Sequence, residues 1–298
     1  MNLEIKESVD ISNVSKMKKF SRKLFKTIRS NSQLLSGVVG IAILLFVVTC
    51  APIITNHDPH FFGPDILSGL GQNGHILGTN NMGQDIFSMI IYGARTSLLV
   101  AVISALISGV LGVIIGGVAG YFGGRVDQII SEIINIFMML PTFFLILLII
   151  ALFGNSIFNV MVVIGLTTWP SNAKLMRAQA LSLRQRTFVK SAIAMGESKF
   201  QILFKYIIPN GIFPVIANTT MGMSNAILTE ASLSFLGLGD PNIISWGQMI
   251  YTGKAYITSA WWITAFSGLA IVITVLIFYL LGDGLNDVLN PKNARKES

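Results

Sequence analysis

Long apolar runs constrain this chain more than any other feature of its sequence. A helix needs about 20 consecutive, mostly apolar residues to cross the hydrocarbon core of a bilayer. Runs of about this length lie at residues 34–55, 96–120, 133–153, 157–172, 211–235 and 261–281. The fourth is shorter than the others, and the fifth carries Pro214, Asn218, Asn225 and Glu230. The pattern predicts an all-α, polytopic membrane protein with six transmembrane helices.

Composition and charge exclude several other classes of protein. Hydrophobic residues make up 52% of the 298 residues and charged residues only 12%, about half of the ~25% charged residues of a soluble domain. The net charge is +7, but the positive residues lie at the ends of the apolar runs and form no recognised nucleic-acid module. We therefore expect no nucleic-acid partner. The single cysteine, Cys50, has no intrachain partner for a disulfide.

The distribution of Lys and Arg predicts the topology, because cytoplasmic loops of membrane proteins carry an excess of both. With the N-terminus inside, the cytoplasmic segments 1–33, 121–132, 173–210 and 282–298 contain 19 of the 21 basic residues. We therefore expect both termini in the cytoplasm. The first apolar run begins too late, and is too long, for a cleaved signal peptide.

The predicted domains are a basic tail at 1–33, a transmembrane domain at 34–292 and a short tail at 293–298. The basic tail is expected to contact anionic membrane lipid. It does so either as a topology-setting segment or as an amphipathic helix in the interface.

The most informative polar segment is the predicted cytoplasmic loop at 177–210. Helical periodicity lies on both sides of Gly196 and stops at Pro209. A glycine breaks a helix at low steric cost. Both pieces carry apolar residues that need a partner surface, namely Phe188, Ala192, Met195, Phe200, Leu203 and Phe204. The alternative is a basic amphipathic hairpin that lies on the membrane.

This loop resembles the "EAA" motif of ABC-importer permeases, in which a small-residue pair is followed by a glycine and later by a proline. Lys190-Ser191-Ala192 stand where the motif has Glu-Ala-Ala, so the first two positions depart from it. The resemblance implies a coupling helix that seats in a groove of an ATP-binding subunit. The residues expected to take part in coupling are Lys190, Ser191, Ala192, Met195, Gly196, Glu197, Phe200 and Pro209.

Further blocks narrow the resemblance to the dipeptide, oligopeptide and nickel permeases. Residues 75–98 read HILGTNNMGQDIFSMIIYGARTSL and follow that family's pattern ahead of the second span. The residues expected to be structural there are Gly78, Gly83, Asp85 and Arg95. The segment ILTEASLSFLGLG at 227–239 is nearly identical to the family signature, and the C-terminal segment from Gly282 is similar to a third pattern. The chain most resembles the second, "C"-type permease subunit.

The resemblance implies the type I ABC-importer permease fold in a bacterial inner membrane, and a transport subunit without its own ATPase site. Expected partners are a related permease subunit that completes a heterodimer, two ATP-binding subunits and an extracytoplasmic substrate-binding protein. ATP and Mg²⁺ are expected on the ATP-binding subunits, with no cofactor on this chain. Small peptides are the expected substrates, and nickel or a metal chelate is the alternative.

Other polar residues raise competing hypotheses. Glu230 lies in an apolar run and is a candidate for the transport pathway, although the resemblance favours hydrogen bonding between helices. His57, His60 and His75 precede the second span, but the close spacing of the first two is typical of a loop, so the sequence predicts no metal site. An ion-coupled secondary transporter would need paired intramembrane charges and an inverted repeat. Neither is visible, nor is the metal or nucleophile cluster of an intramembrane enzyme.

Overall fold

The computed structural model describes residues 31–289, and within that range the structure consists of helices and loops without β-strands. The prediction of an all-α protein is confirmed. Most of the expected basic tail at 1–33, and all of the expected C-terminal tail at 293–298, lie outside the described residues. The helices are α1 (Ser32–Thr49), α2 (Ala51–Ile54), α3 (Ile86–Phe122), α4 (Gly124–Met139), α5 (Thr142–Phe153), α6 (Ile157–Arg184), α7 (Thr187–Ala194), α8 (Lys199–Ile202), α9 (Ile208–Gly211), α10 (Phe213–Phe235), α11 (Trp246–Gly253) and α12 (Trp261–Leu289).

Two long helices, α3 and α6, pack against each other and form the centre of the structure. Small residues at every fourth position of α3 allow this close approach, since Gly112, Gly116 and Gly120 face the backbone or Cβ of α6. Such a small-residue face is typical of helix pairs within membranes. The helix α10 packs on both α3 and α12, and α1 packs on α12.

The third predicted span, 133–153, is not one straight helix. It divides into α4 and α5, which meet at an angle of 84° across Leu140 and Pro141. Proline disfavours helical backbone in the residue before it, and Leu140 accordingly takes an extended conformation with ψ of 133°. The expectation of a continuous helix was therefore wrong at Pro141.

The fourth predicted span, 157–172, extends much further than its apolar residues do. The helix α6 continues to Arg184 and contains Pro170 in its interior. Beyond the apolar stretch, the helix is supported by packing against α3 and by Arg177, which donates to Asp127 on α4 over 2.8 Å. Hydrophobicity therefore marked only the first part of this helix.

By length and composition, three described helices can cross a membrane: α1, α3 and α12. The number rises to five if α4 with α5, and 199–211 with α10, each count as one bent span. The count of six spans and the cytoplasmic location of both termini stay predictions.

Two hydrogen bonds attach the segment between α2 and α3, and the start of α11, to the beginnings of α12 and α3. The indole nitrogen of Trp262, at the start of α12, donates to the carbonyl of Thr79 over 3.1 Å. That of Trp246, at the start of α11, donates to the carbonyl of Ile90 over 2.9 Å. These bonds fix two polar segments on one end of the helical bundle.

Candidate functional site

The segment at 187–207 is attached to the bundle through one apolar face. That face consists of Val189, Ala192, Ile202, Leu203 and Ile207. It packs in one cluster with Tyr121 at the end of α3 and with Met176 and Ala180 on α6. The segment is therefore joined to the two central helices by close-packed apolar contacts.

The opposite face of the same segment leaves large apolar side chains exposed. These residues, which we call the exposed apolar set, are Phe188, Ile193, Met195, Phe200 and Phe204. Met195 is 72% exposed and Phe200 is 64% exposed. Lys190 and Ser191 are also exposed beside them. A concentration of exposed apolar side chains marks an interaction surface.

The fold thus divides the residues expected to need a partner surface. Phe188, Met195, Phe200 and Phe204 are exposed, whereas Ala192 and Leu203 are buried within the chain itself. Periodicity alone did not separate the two sets, because each helical piece has an apolar face wide enough to serve both purposes. We conclude that Ala192 anchors the segment and is not available to a partner.

Gly196 terminates α7 in a turn that few other residues can form. Its φ is +80°, a region that non-glycine residues rarely occupy. Its amide donates to the carbonyl of Ile193 over 3.0 Å, and the next amide, of Glu197, donates to that of Ala192 over 3.2 Å. This pair of bonds is the Schellman motif. Ser198 then caps α8 in a reciprocal capping box with Gln201.

The carboxylate of Glu197 fastens this turn to the next part of the segment. It accepts a hydrogen bond of 2.7 Å from the Tyr206 hydroxyl and forms an ion pair of 3.3 Å with Lys205. The hydrogen bond from Tyr206, assisted by Lys205, lowers the pKa of the Glu197 carboxyl, so the carboxylate stays ionised at neutral pH. The turn is therefore held in one conformation from both of its ends.

Pro209 does not end the helical segment, contrary to the expectation from sequence. A π-helical turn at Leu203–Ile207 precedes it, and Pro209 lies in the first turn of α9, which continues to Gly211. Helical backbone at Ile207 and Ile208 leads directly into Pro209, whose fixed φ of about −65° is compatible with a helix although it donates no hydrogen bond there. The break comes instead at Ile212, where the chain bends by 59° into α10.

A second feature is a polar cavity of about 370 Å³ between α3, α6 and α10, next to the break between α4 and α5. Asn218 on α10 donates to the side-chain oxygen of Asn172 over 2.8 Å, and Asn172 donates to the Ser108 hydroxyl over 3.0 Å. This chain of hydrogen bonds joins the three helices. None of the described residues that line the cavity is charged, and several carry hydroxyl or amide groups, among them Thr167, Thr168, Ser171 and Asn225.

Glu230 lies outside this cavity lining. Its side chain is 2% exposed, and one carboxylate oxygen accepts hydrogen bonds of 2.8 Å from both Ser234 and Ser245. Ser245 is the N-cap of α11. These bonds join α10 to α11, while the other carboxylate oxygen of Glu230 is buried without a hydrogen-bond partner among the described residues.

The residues expected to be structural surround the start of α3. Asp85 is the helix N-cap, accepting from the amide of Ser88 over 2.8 Å. Gly78 and Gly83 have φ of +76° and +71°, and a Cβ at Gly83 would collide with the backbone of Gly63. The guanidinium of Arg95 donates to the carbonyl of Val48 over 3.0 and 3.1 Å, and so ties α3 to the end of α1.

A family model described as "Binding-protein-dependent transport system inner membrane component" matches residues 112–295. This match includes the 187–207 segment, Glu230 and the residues of α6 and α10 that line the polar cavity, but not Ser104, Ala105 and Ser108 of α3. The chain belongs to this family.

Individual relatives agree with this assignment over most of the chain. The dipeptide transport system permease protein DppC of Escherichia coli K12 is 39% identical over 271 residues, which cover 89% of this chain and 90% of that protein. DppC of Alkalihalophilus pseudofirmus is 35% identical over 91% of this chain and 90% of its own length. The glutathione transport system permease protein GsiD of Pectobacterium atrosepticum is 35% identical over 85% of each chain.

The fold is that of a known ABC permease. A chain of the MetNI methionine ABC transporter in an inward-facing conformation superposes with a TM-score of 0.55 at 18% identity, and covers 68% of this chain and 96% of that one. As a permease component of an ABC transporter in a bacterial inner membrane, the chain has no ATPase site of its own, and partner subunits hydrolyse ATP.

The polar cavity is the part of the site that sequence reasoning missed. Asn218 and Asn225 were visible as polar interruptions of an apolar run, and their presence weakened the prediction of that span. The same residues line a cavity once α10 is packed against α3 and α6. An asparagine in an apolar run is therefore a signal for an internal polar surface, but its partners depend on the packing of the helices.

Proposed function

We propose that this chain forms half of the translocation pathway of an ATP-driven importer of small peptides. A related permease subunit would supply the other half, and two ATP-binding subunits, carrying ATP and Mg²⁺, would dock on the 187–207 segment. A substrate-binding protein would deliver peptides to the opposite end of the bundle, where the segments before α3 and around α11 lie.

One observation carries the proposal: the 187–207 segment is buried on one face and exposes large apolar side chains on the other. Val189 and Ala192 fix it to the bundle, while Met195 and Phe200 stay largely exposed within the described residues. A segment that only lay on the membrane would not need the Schellman turn and the bonds from Glu197, which hold its shape. A rigid, half-exposed segment is suited to transmit movement.

The mechanism follows from what the segment contacts. Closure of the ATP-binding subunits would move the segment, and the buried cluster would carry this movement to α6 through Met176 and Ala180. The same helix carries Asn172 in the polar cavity. ATP shifts the equilibrium between inward-open and outward-open states only if the partners bind the two states with different affinity.

The polar cavity supports peptides as the substrate class. Its uncharged hydroxyl and amide groups can replace water around peptide groups during passage, and they place no fixed charge where a zwitterion would be held too tightly. The printed names of the relatives, dipeptide and glutathione permeases, point in the same direction. Nickel or a metal chelate remains the alternative to be tested.

The decisive experiment replaces Gly196 in a strain that carries the complete transporter. Because φ is +80° there, left-handed backbone at a non-glycine residue costs about 1–2 kcal/mol, and valine is especially unsuited to it. Apart from the two adjacent residues, no described atom lies within 4 Å of a Cβ at this position, so the substitution strains the turn without a clash elsewhere in the described chain. We expect Gly196→Val to lose co-purification with the ATP-binding subunits and to lose uptake of a labelled dipeptide, while the chain still inserts and folds.

The matched control is Gly196→Asn, because asparagine adopts left-handed backbone far more readily than valine. It should retain most of the association and uptake. Normal association and uptake in Gly196→Val would refute the assignment of the segment. Uptake of radioactive nickel, measured in parallel, distinguishes the two substrate classes. If Gly196→Val loses nickel uptake but keeps dipeptide uptake, the substrate is a metal and not a peptide.

A further inference from the structure

The segment between α2 and α3 brings together three residues that are far apart in the sequence. His57, His75 and Asp85 each offer one donor atom, and these atoms lie within 4.8 Å of one another. The rings of the two histidines have centroids 4.6 Å apart. His60, which the sequence pairs most closely with His57, is not a member of this group.

Two of the three residues are held in place by the surrounding structure. His75 and Asp85 are buried, and the His75 Nδ1 lies 2.9 Å from the Asp85 Oδ1. The other oxygen of Asp85 accepts from the backbone and hydroxyl of Ser88 over 2.8 Å each, which fixes the carboxylate at the start of α3. His57 is exposed, so its ring can adjust to a ligand while the other two stay in position.

The donor set has the chemistry of a transition-metal site. Two imidazole nitrogens and a carboxylate oxygen are typical ligands of zinc, at distances of about 2.0–2.2 Å. Ligands around a tetrahedral ion at these distances lie roughly 3.3–3.5 Å apart. His57 would move closer to reach this arrangement, since the donor atoms lie within 4.8 Å of one another. The His75–Asp85 pair, now a hydrogen bond of 2.9 Å, would open by about 0.5 Å as the metal replaces the shared proton. Water would complete the coordination.

A fourth residue completes the surroundings of the site. The Asp65 Oδ2 lies 4.0 Å from the Nε2 of His75, on the opposite edge of the ring from Asp85. A histidine that binds a metal through one nitrogen commonly donates its other N–H to a carboxylate, which orients the ring. At 4.0 Å, Asp65 is too distant to accept this hydrogen bond now, and it would have to move about 1 Å closer to His75 to serve in this way.

We propose that His57, His75 and Asp85 bind one divalent transition-metal ion of the zinc class, with Asp65 positioning His75. The bound ion would join the chain just after α2 to the first residues of α3. The site lies on the segment before α3, apart from the cavity and the 187–207 segment, and does not depend on the proposed transport function.

The test is zinc binding to the full chain, purified with its partner subunits through an affinity tag that contains no histidine. Competition against a chromogenic chelator gives the stoichiometry and the affinity for Zn²⁺. We expect His57→Ala to lose one equivalent of zinc relative to the unsubstituted protein. Asp65→Asn should keep that equivalent and bind it about 10–100-fold more weakly, as expected for a residue that acts through a ligand.

The matched control is His60→Ala, which removes another histidine of the same segment and should retain full binding. Thermal unfolding in the presence of chelator should be the same for the two histidine variants, because His57 and His60 are both exposed. The proposal is overturned if the unsubstituted protein binds no zinc, or if His57→Ala and His60→Ala bind equal amounts.

Discussion

Two adjacent glycines of α3, Gly116 and Gly117, have different surroundings, so the same substitution to alanine should change stability differently at the two positions. A Cβ at Gly116 would lie 2.9 Å from both the carbonyl carbon and the Cα of Ala173, and closer still to the carbonyl oxygen. A Cβ at Gly117 would lie 3.5 Å from the Ile208 side chain, an ordinary contact. The added methyl group of Gly116→Ala therefore clashes with the backbone of α6, whereas that of Gly117→Ala does not.

The magnitude follows from these distances. Carbon atoms pack best at about 3.5–4.0 Å, so α6 must withdraw from Gly116→Ala by at least roughly 0.6 Å. Overpacking of this kind costs about 1–3 kcal/mol. Both variants gain about 0.5–1 kcal/mol, because alanine loses less backbone entropy in a helix than glycine does. We expect Gly117→Ala to be neutral or stabilising and Gly116→Ala to be less stable than it by about 1–3 kcal/mol.

Thermal unfolding of the two purified variants in one detergent measures this difference, and dipeptide uptake shows its effect on transport. Uptake should fall in Gly116→Ala, because α6 carries both Asn172 of the cavity and the residues that anchor the 187–207 segment. Equal stability of the two variants, or lower stability of Gly117→Ala, would refute the close packing of α3 on α6 at this position.

Two further predictions concern the polar groups of α10. Glu230→Ala should lower the free energy of unfolding by about 2–4 kcal/mol, because two buried hydroxyl groups lose their acceptor; thermal unfolding checks this. The control, Ser232→Ala, removes an exposed hydroxyl bonded within its own helix and should change stability by less than about 0.5 kcal/mol, so equal shifts would contradict the role of Glu230. Asn225→Leu should reduce dipeptide uptake without loss of the ATP-binding subunits, and Asn225→Ser should restore part of it. Unchanged dipeptide uptake in Asn225→Leu would contradict the assignment of the cavity to the transport pathway.

Membrane insertion and helical structure were predictable from the sequence for a simple physical reason. Backbone polar groups cannot remain unpaired in hydrocarbon, so a run of about 20 apolar residues has few alternatives to a helix. The runs at 34–55, 96–120 and 261–281 accordingly correspond to α1, α3 and α12, although α1 ends at Thr49 and both α3 and α12 extend beyond their apolar residues.

In two places the helices bend or end where the apolar runs give no sign of it. A hydrophobic run does not reveal that the chain turns by 84° at Pro141, or that α6 continues for three turns beyond residue 172. The first depends on backbone conformation at a proline, and the second on packing and an ion pair with another helix. Neither contributes to a hydrophobicity pattern.

In the candidate functional site, too, the sequence predicted local backbone structure, whereas the contacts between distant residues depended on the tertiary structure. The sequence around Gly196 was sufficient to predict a break between two helical pieces, because left-handed backbone is a local property of glycine. Which apolar residues face outward was decided only when α3 and α6 covered Ala192 and Leu203. The meeting of His57 with His75 and Asp85, and of Asn172 with Asn218, likewise required the folded chain, since contacts between distant residues depend on how the helices pack and not on local preference.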